Sequence, residues 1–164
     1  VSILTREHNI KNVAVIFIGR GRKSYIQELQ TIHNHLSPGI KLMWLGQRND
    51  SREVLSACDI VTLASHEGDG FPNVIGEALS LERPVVVTDV GDCCEIFGNV
   101  TFTVEPGNPE AIADAWSKII TDSPKSILLG QAGRDLIKGS FSVKKSVEHT
   151  ENTLVQLCSD ITGI

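Results

Sequence analysis

Two acidic residues flank a segment that the sequence predicts to be the start of a helix. Asp69 precedes the run Gly70–Val74, and Glu77 follows it. Asn73 is a suitable N-cap, so the first backbone amides of the helix would point back toward the loop. Carboxylates accept hydrogen bonds from hydroxyl groups, and amides at a helix N-terminus attract phosphate. A sugar joined to a diphosphate would satisfy both; alternatively, Glu77 offsets the helix dipole and Asp69 caps a turn.

Gly76 lies inside the same predicted helix. Glycine in a helix interior costs ~1 kcal/mol relative to alanine. The glycine therefore indicates that either a ligand or a neighbouring backbone comes close to the helix at this position.

A second glycine-containing loop, Gly19–Ser24, follows an apolar run and contains three cations. It does not match the dinucleotide fingerprint, because Ser24 takes the place of the third glycine and no acidic residue follows Leu45. It is not a P-loop either, because Arg22 precedes Lys23. Three cations at a helix N-terminus oppose the helix dipole, so either a bound anion relieves the repulsion or the loop is simply solvated.

The elements that must position these loops alternate between two types. Short β-branched runs are typical of buried parallel strands. These runs are Val13–Ile18, Lys41–Leu45, Ile60–Ala64, Pro84–Thr88 and Val100–Val104. Segments with helical spacing separate them, and the chain is helical after Glu105. The pattern predicts a doubly wound, Rossmann-like α/β fold with about five parallel strands, helices on both faces and a helical C-terminus.

Several helix starts carry capping signals. Ser24 with Gln27 and Asp50 with Glu53 have capping-box spacing. Asn108 and Ser123 each precede a proline, which favours a cap followed by the first helical residue. The final segment, Ser142–Cys158, is predicted to be an amphipathic helix that could expose an apolar face or mediate self-association.

Ligands of such a sheet bind beyond the carboxyl ends of its strands. Four polar or glycine-rich loops follow predicted strands and are therefore the candidate ligand site. We name them the first to fourth loops: Gly19–Ser24, Gly46–Asp50, Ser65–Asn73 and Asp89–Cys94.

The composition of the chain argues against several classes of function. The 164 residues carry 15 basic and 20 acidic side chains, for a net charge of -5, which argues against a nucleic-acid partner. No apolar run approaches the ~20 residues of a membrane span, and no signal peptide is evident. The four cysteines lack metal-site or disulfide-framework spacing, so we expect reduced thiols and a cytoplasmic location. The chain does not begin with Met, and we expect it to be a piece of a longer protein.

The run Gly68–Leu79 resembles the signature of group 1 glycosyltransferases, which are retaining enzymes of the GT-B fold that use nucleotide sugars. The usual motif is Glu, seven residues and Glu. The resemblance extends to Leu45–Gly46 with Glu53–Ile60, to Pro84–Asp92 and to Val104–Ala111. It therefore covers nearly the whole chain in the expected order.

The resemblance implies roles for individual residues. Glu77 would bind the ribose hydroxyls of the donor. Asp69 would contact the donor sugar, although it is one methylene shorter than the usual Glu. The Gly70–Val74 backbone, including Phe71, Pro72 and Asn73, would hold the distal phosphate and the sugar. Gly19, Arg20 and Gly21 match the glycine loop of the second strand, and Gly46, Gln47 and Arg48 would border the base.

The resemblance also implies what lies outside this chain. Residues 1–164 match only the C-terminal, donor-binding domain, so the acceptor-binding domain and the first strand of this domain are absent. That strand would normally lie near the middle of the sheet. The chain alone is therefore expected not to transfer sugar. The expected donor is a UDP- or GDP-sugar, and no metal is expected. The acceptor would be a glycan or a lipid-linked glycan, which allows a peripheral position at the inner face of a membrane.

Two other functions compete with a transferase. A nucleotide-sugar epimerase shares the GT-B architecture, but the motif from Asp69 to Glu77 is that of the transferases. A non-catalytic module would bind a nucleotide, or a protein partner, without any transfer. An acceptor domain encoded upstream in the same gene would favour the transferase over the module.

Overall fold

The computed structural model describes residues 1–36, 40–68 and 70–162, and in these residues eight helices and five strands follow one another. The strands are β1 (Ala14–Ile18), β2 (Lys41–Gly46), β3 (Val61–Leu63), β4 (Val85–Thr88) and β5 (Phe102–Val104). The helices are α1 (Ser2–Glu7), α2 (Lys23–Leu36), α3 (Ser51–Ser56), α4 (Asn73–Ser80), α5 (Cys93–Phe97), α6 (Pro109–Thr121), α7 (Ser123–Ser140) and α8 (Val143–Thr162). The five predicted strands are confirmed.

The strands form two parallel sheets in the described residues. One contains β1 and β2, and the other has the order β3-β4-β5. In these residues every strand except β4 therefore pairs on one side only. The resemblance places a further strand near the middle of the sheet, and this stays a prediction.

Strand β4 shows that helices cover both faces of the larger sheet. All of its residues are buried. Val85 and Val87 lie in a core cluster with Ile75 and Leu79 of α4. Val86 packs on the opposite side, in a cluster with Ala115 and Ile119 of α6. Because successive strand residues point to opposite faces, α4 and α6 lie on opposite sides of the sheet, as the doubly wound fold predicts.

The helix caps agree only in part with those predicted from the sequence. Asn108 caps α6 as predicted, because its side chain accepts a hydrogen bond from the Ala111 N–H at 2.9 Å. The cap of α7 is Asp122 rather than Ser123, which is the first helical residue. Asp50 occupies the N-cap position of α3, but its carboxylate binds the guanidinium of Arg48 instead of a backbone amide.

The C-terminal helices extend beyond the sheet. Helix α7 packs against α4, and Arg134 of α7 forms an ion pair with Glu82 in the turn after α4. Helix α8 leaves Val143, Val147 and Leu154 exposed, as its amphipathic sequence predicts. Within the described ranges, no helix combines the length and the apolar character that a membrane span requires.

Candidate functional site

Helix α4 begins without a side-chain cap. Pro72 occupies the N-cap position and Asn73 is the first helical residue, so the prediction that Asn73 caps the helix is wrong. The N–H of Ile75 donates to the Pro72 carbonyl at 3.0 Å. For the N–H groups of Asn73 and Val74, no hydrogen-bond acceptor is found among the described residues. The first turn of α4 therefore presents two donors to a ligand beyond the carboxyl ends of the strands.

Glu77 lies one turn further along α4, on the same face as Asn73. Both side chains are exposed, whereas Ile75, Ala78 and Leu79 on the other face are buried. No hydrogen bond or ion pair engages the Glu77 carboxylate within the described part of the chain. Because side chains of a helix lean toward its N-terminus, the Glu77 side chain is directed toward the turn that carries these two donors.

Asp69, the second acidic residue of the predicted site, lies outside the described residues. Its neighbours Gly68 and Gly70 are described, and both are exposed. Its predicted contact with the donor sugar therefore stays a prediction.

The ring of Phe71 anchors the third loop to the core. It lies edge-on to the buried Phe97, with ring centroids 5.2 Å apart, and 4.9 Å from the ring of Phe141. A Cβ on Gly76 would lie 3.1 Å from this ring. The close approach that the sequence of α4 indicated thus comes from Phe71 rather than from a ligand or a backbone. A ligand contact by Phe71 would have to use its backbone or the exposed part of its ring.

Two contacts that the sequence did not indicate join the third loop to the end of β4 and to the fourth loop. The hydroxyl of Thr88, at the end of β4, is 2.7 Å from the carbonyl oxygen of Ser65. A Cβ on Gly68 would lie 2.6 Å from the N and Cα atoms of Gly91, so the two backbones touch. Buried threonine at a strand end and glycine in a loop are the only sequence signals that could have pointed to these contacts.

The first and second loops are also joined to each other. The N–H of Gly19 donates to the Gly46 carbonyl at 2.9 Å, and Nε of Arg20 donates to Oε1 of Gln47 at 2.5 Å. Both glycines have positive φ, at +124° and +65°, which favours glycine at these strand ends. A Cβ on Gly21 would lie 3.2 Å from Ile26, so this glycine packs against the start of α2.

Of the three arginines in these loops, Arg20 and Arg48 differ in charge balance. Arg20 is hydrogen-bonded to a neutral amide and keeps its net positive charge. Arg48 is paired with Asp50, whose carboxylate accepts a hydrogen bond from its Nε at 2.6 Å. The hydrogen bond from Arg48 lowers the pKa of Asp50 below its ordinary value, and the same bond raises the pKa of Arg48. Arg20 is therefore the better placed of the two to meet an anionic ligand.

The predicted site residues thus form two groups. One combines the first turn of α4 with Glu77, and the other combines the first and second loops. Hydrogen bonds hold the second group together, because they join the first loop to the second. Across the described ranges, no cluster of three or more His, Cys, Asp or Glu side chains is placed to hold a metal ion.

Fold and site together define a parallel α/β domain with an open helix N-terminus and an acidic acceptor at the carboxyl edge of its strands. The family model for group 1 glycosyl transferases matches residues 1–122. The chain belongs to the group 1 glycosyltransferase family.

Curated relatives share part of the chain. A capsular polysaccharide biosynthesis glycosyltransferase, CapM, from Staphylococcus aureus is 33% identical over 93 residues, which is 54% of this chain and 24% of the relative. A putative teichuronic acid biosynthesis glycosyltransferase, TuaC, from Bacillus subtilis is 38% identical over 65 residues, or 39% of this chain and 16% of the relative. The matched segments therefore span at most a quarter of these proteins.

Solved structures support the fold over most of the chain. Anabaena Alr3699/HepE, solved in complex with UDP, gives a TM-score of 0.82 at 24% identity, covering 94% of this chain and 44% of that protein. The C-terminal domain of the group 1 glycosyl transferase LpcC from Francisella tularensis gives a TM-score of 0.74 at 25% identity. That match covers 87% of this chain and 76% of that domain.

Proposed function

We propose that this chain is the donor-binding domain of a retaining glycosyltransferase. The whole protein would transfer a hexose-type sugar from a nucleotide-diphosphate donor to a glycan or a lipid-linked acceptor. Residues 1–164 would hold the donor, and an acceptor-binding domain elsewhere in the protein would complete the reaction site. The chain alone would then not transfer sugar.

One observation carries this proposal. Among the described residues, the N–H groups of Asn73 and Val74 in the first turn of α4 have no acceptor, and the Glu77 carboxylate on the same face as Asn73 has no partner. A nucleotide diphosphate carries the complementary groups, because its phosphates accept hydrogen bonds and its ribose hydroxyls donate them. Amide donors at a helix N-terminus and one carboxylate, side by side, therefore suit a ribose joined to phosphates.

The same groups would assist the chemical step. Cleavage of the bond between sugar and diphosphate places developing negative charge on the departing phosphate. The donors at the start of α4 are fixed by the helix and aimed at that charge, so they would stabilise it without rearrangement. Arg20, which follows β1, would supply a positive charge to the same phosphates. Glu77 would orient the donor by its ribose, and Asp69 would orient the sugar. No metal is required in this scheme.

The names of the relatives support the proposed acceptor and cellular location. The Staphylococcus aureus and Bacillus subtilis proteins are named for capsular polysaccharide and teichuronic acid biosynthesis. A Campylobacter jejuni relative is named for transfer to a diphospho-undecaprenol-linked sugar. We therefore expect a role in polysaccharide biosynthesis, at the cytoplasmic face of a membrane that carries the acceptor. Self-association through the exposed face of α8 stays a proposal, to be tested by the mass of the protein in solution.

Nucleotide-dependent stability tests the proposal. UDP or GDP at ~100 times its dissociation constant is expected to stabilise the protein by about 2.7 kcal/mol. For a protein of this size that corresponds to a rise in Tm of roughly 5–10 °C. A thermal-shift series with UDP, GDP, ADP and NAD measures it. NAD serves as the control, because the first loop does not match a dinucleotide fingerprint. No stabilisation by any nucleotide, or stabilisation by NAD alone, would contradict donor binding.

A further inference from the structure

Thr88 is a buried polar residue at the end of an otherwise apolar strand. It follows Val85, Val86 and Val87, and only 2% of its surface is exposed. Its hydroxyl lies 2.7 Å from the Ser65 carbonyl oxygen and 3.4 Å from that of Leu63. A hydroxyl has one proton to donate, and the shorter contact to Ser65 has the better geometry. The hydrogen bond therefore ties the start of the third loop to the end of β4.

The contact between Gly68 and Gly91 holds the same loop a little further on. The two backbones approach so closely that a methyl group on Gly68 would overlap Gly91. This contact involves packing rather than hydrogen bonding, so it supports the position of the loop independently of Thr88. The first contact joins the third loop to the end of β4 and the second joins it to the fourth loop, and both precede the Gly70–Val74 segment.

The position of this loop decides where the open donors of α4 can meet a ligand. The loop leads directly into Pro72 and the first turn of the helix, and the ring of Phe71 fixes it from the core side. A binding group that is displaced by about 1 Å loses much of its contribution to the free energy of binding. The loop therefore has to be held from both sides, and Thr88 supplies the hydrogen bond on the sheet side.

We propose that Thr88 is a positioning residue for donor binding. Its hydroxyl holds the third loop so that the amides of Asn73 and Val74 and the carboxylate of Glu77 meet the nucleotide diphosphate together. This inference rests on the proposed function. Valine would fill the same space in the strand but would leave the Ser65 carbonyl without its donor.

The test compares three threonine variants in the protein as its gene encodes it. Thr88→Val is expected to weaken UDP binding by about tenfold or more, measured by titration calorimetry. Thr88→Ser keeps the hydroxyl and should bind UDP as the wild type does. Thr101→Val is the matched control: Thr101 is also buried and its hydroxyl donates to the Phe97 carbonyl at 2.9 Å, but it precedes β5 and so lies toward the amino ends of the parallel strands. Its UDP affinity should not change.

Hydrogen exchange provides a second readout that needs no ligand. Thr88→Val should accelerate exchange in peptides covering the third loop, whereas Thr101→Val should not. If Thr88→Val does not fold, Gly68→Ala displaces the same loop by overlap with Gly91 and should show the same acceleration and the same loss of affinity.

The outcomes separate this inference from the proposed function. Wild-type protein that binds no nucleotide would overturn both. Wild-type binding that Glu77→Gln abolishes and Thr88→Val leaves intact would overturn the positioning role alone. Equal losses in Thr88→Val and Thr101→Val would also overturn it, because a general loss of stability would then explain both.

Discussion

Replacing Glu77 with glutamine is expected to weaken nucleotide binding by about 100-fold. The carboxylate is exposed and has no partner in the described residues, so both oxygens can accept hydrogen bonds from ribose hydroxyls. Hydrogen bonds to a charged group contribute about 1.5–3 kcal/mol each. Glutamine keeps the size of the side chain but removes the charge and turns one acceptor into a donor. A loss of about 3 kcal/mol corresponds to roughly two orders of magnitude in Kd.

Titration calorimetry with the nucleotide that gives the largest thermal shift measures this effect. Glu110→Gln is the matched control, because Glu110 is an exposed acidic residue in the first turn of α6, outside the candidate site. The control should keep the wild-type Kd within about twofold, since a solvated side chain far from the ligand contributes little. Equal changes of Kd in the two variants would show that Glu77 does not belong to the donor site.

Replacing Gly130 with alanine is expected to destabilise the fold by about 2–3 kcal/mol. The new Cβ would lie 2.3 Å from the Glu82 carbonyl oxygen and 2.9 Å from its carbon. That backbone cannot easily retreat, because Glu82 already holds a positive φ of 59° and its side chain is paired with Arg134 of α7. Helix α7 would have to move away from the turn after α4, and with it the support of the candidate site. Denaturant unfolding measures the loss.

Gly139→Ala in the same helix is the control. No atom outside its own helix segment lies within 4 Å of a Cβ at this position. Alanine should therefore stabilise the helix, by up to about 1 kcal/mol. If Gly130→Ala were as stable as the wild type, the close packing of α7 on the turn at Glu82 would be wrong.

The strands could be predicted from the sequence because buried parallel strands are continuous apolar runs. Val85, Val86 and Val87 are consecutive β-branched residues, which is typical of a strand covered on both faces, and the structure covers both. The helix caps were harder to predict from the sequence. Asp50 has a capping side chain at the right position, but its carboxylate accepts a hydrogen bond from Arg48, two residues earlier, instead of from a backbone amide of α3. Local spacing does not report such competition.

In the candidate site, too, some features could be predicted from the sequence and others could not. That the loops at the strand ends come together follows from parallel topology alone, as the bond between Gly19 and Gly46 illustrates. The contacts that hold the third loop could not be predicted, because they join residues that are distant in sequence. The approach of Phe141 to Phe71 depends on where α7 ends. Gly76 signalled that something had to come close, but not that it was the Phe71 ring.

A crystal structure of the protein with UDP would test the central claim most directly. The account predicts a phosphate oxygen within ~3 Å of the Asn73 or Val74 nitrogen and ribose hydroxyls at hydrogen-bond distance from the Glu77 carboxylate. A nucleotide bound away from the start of α4, or a ribose that does not reach Glu77, would contradict it.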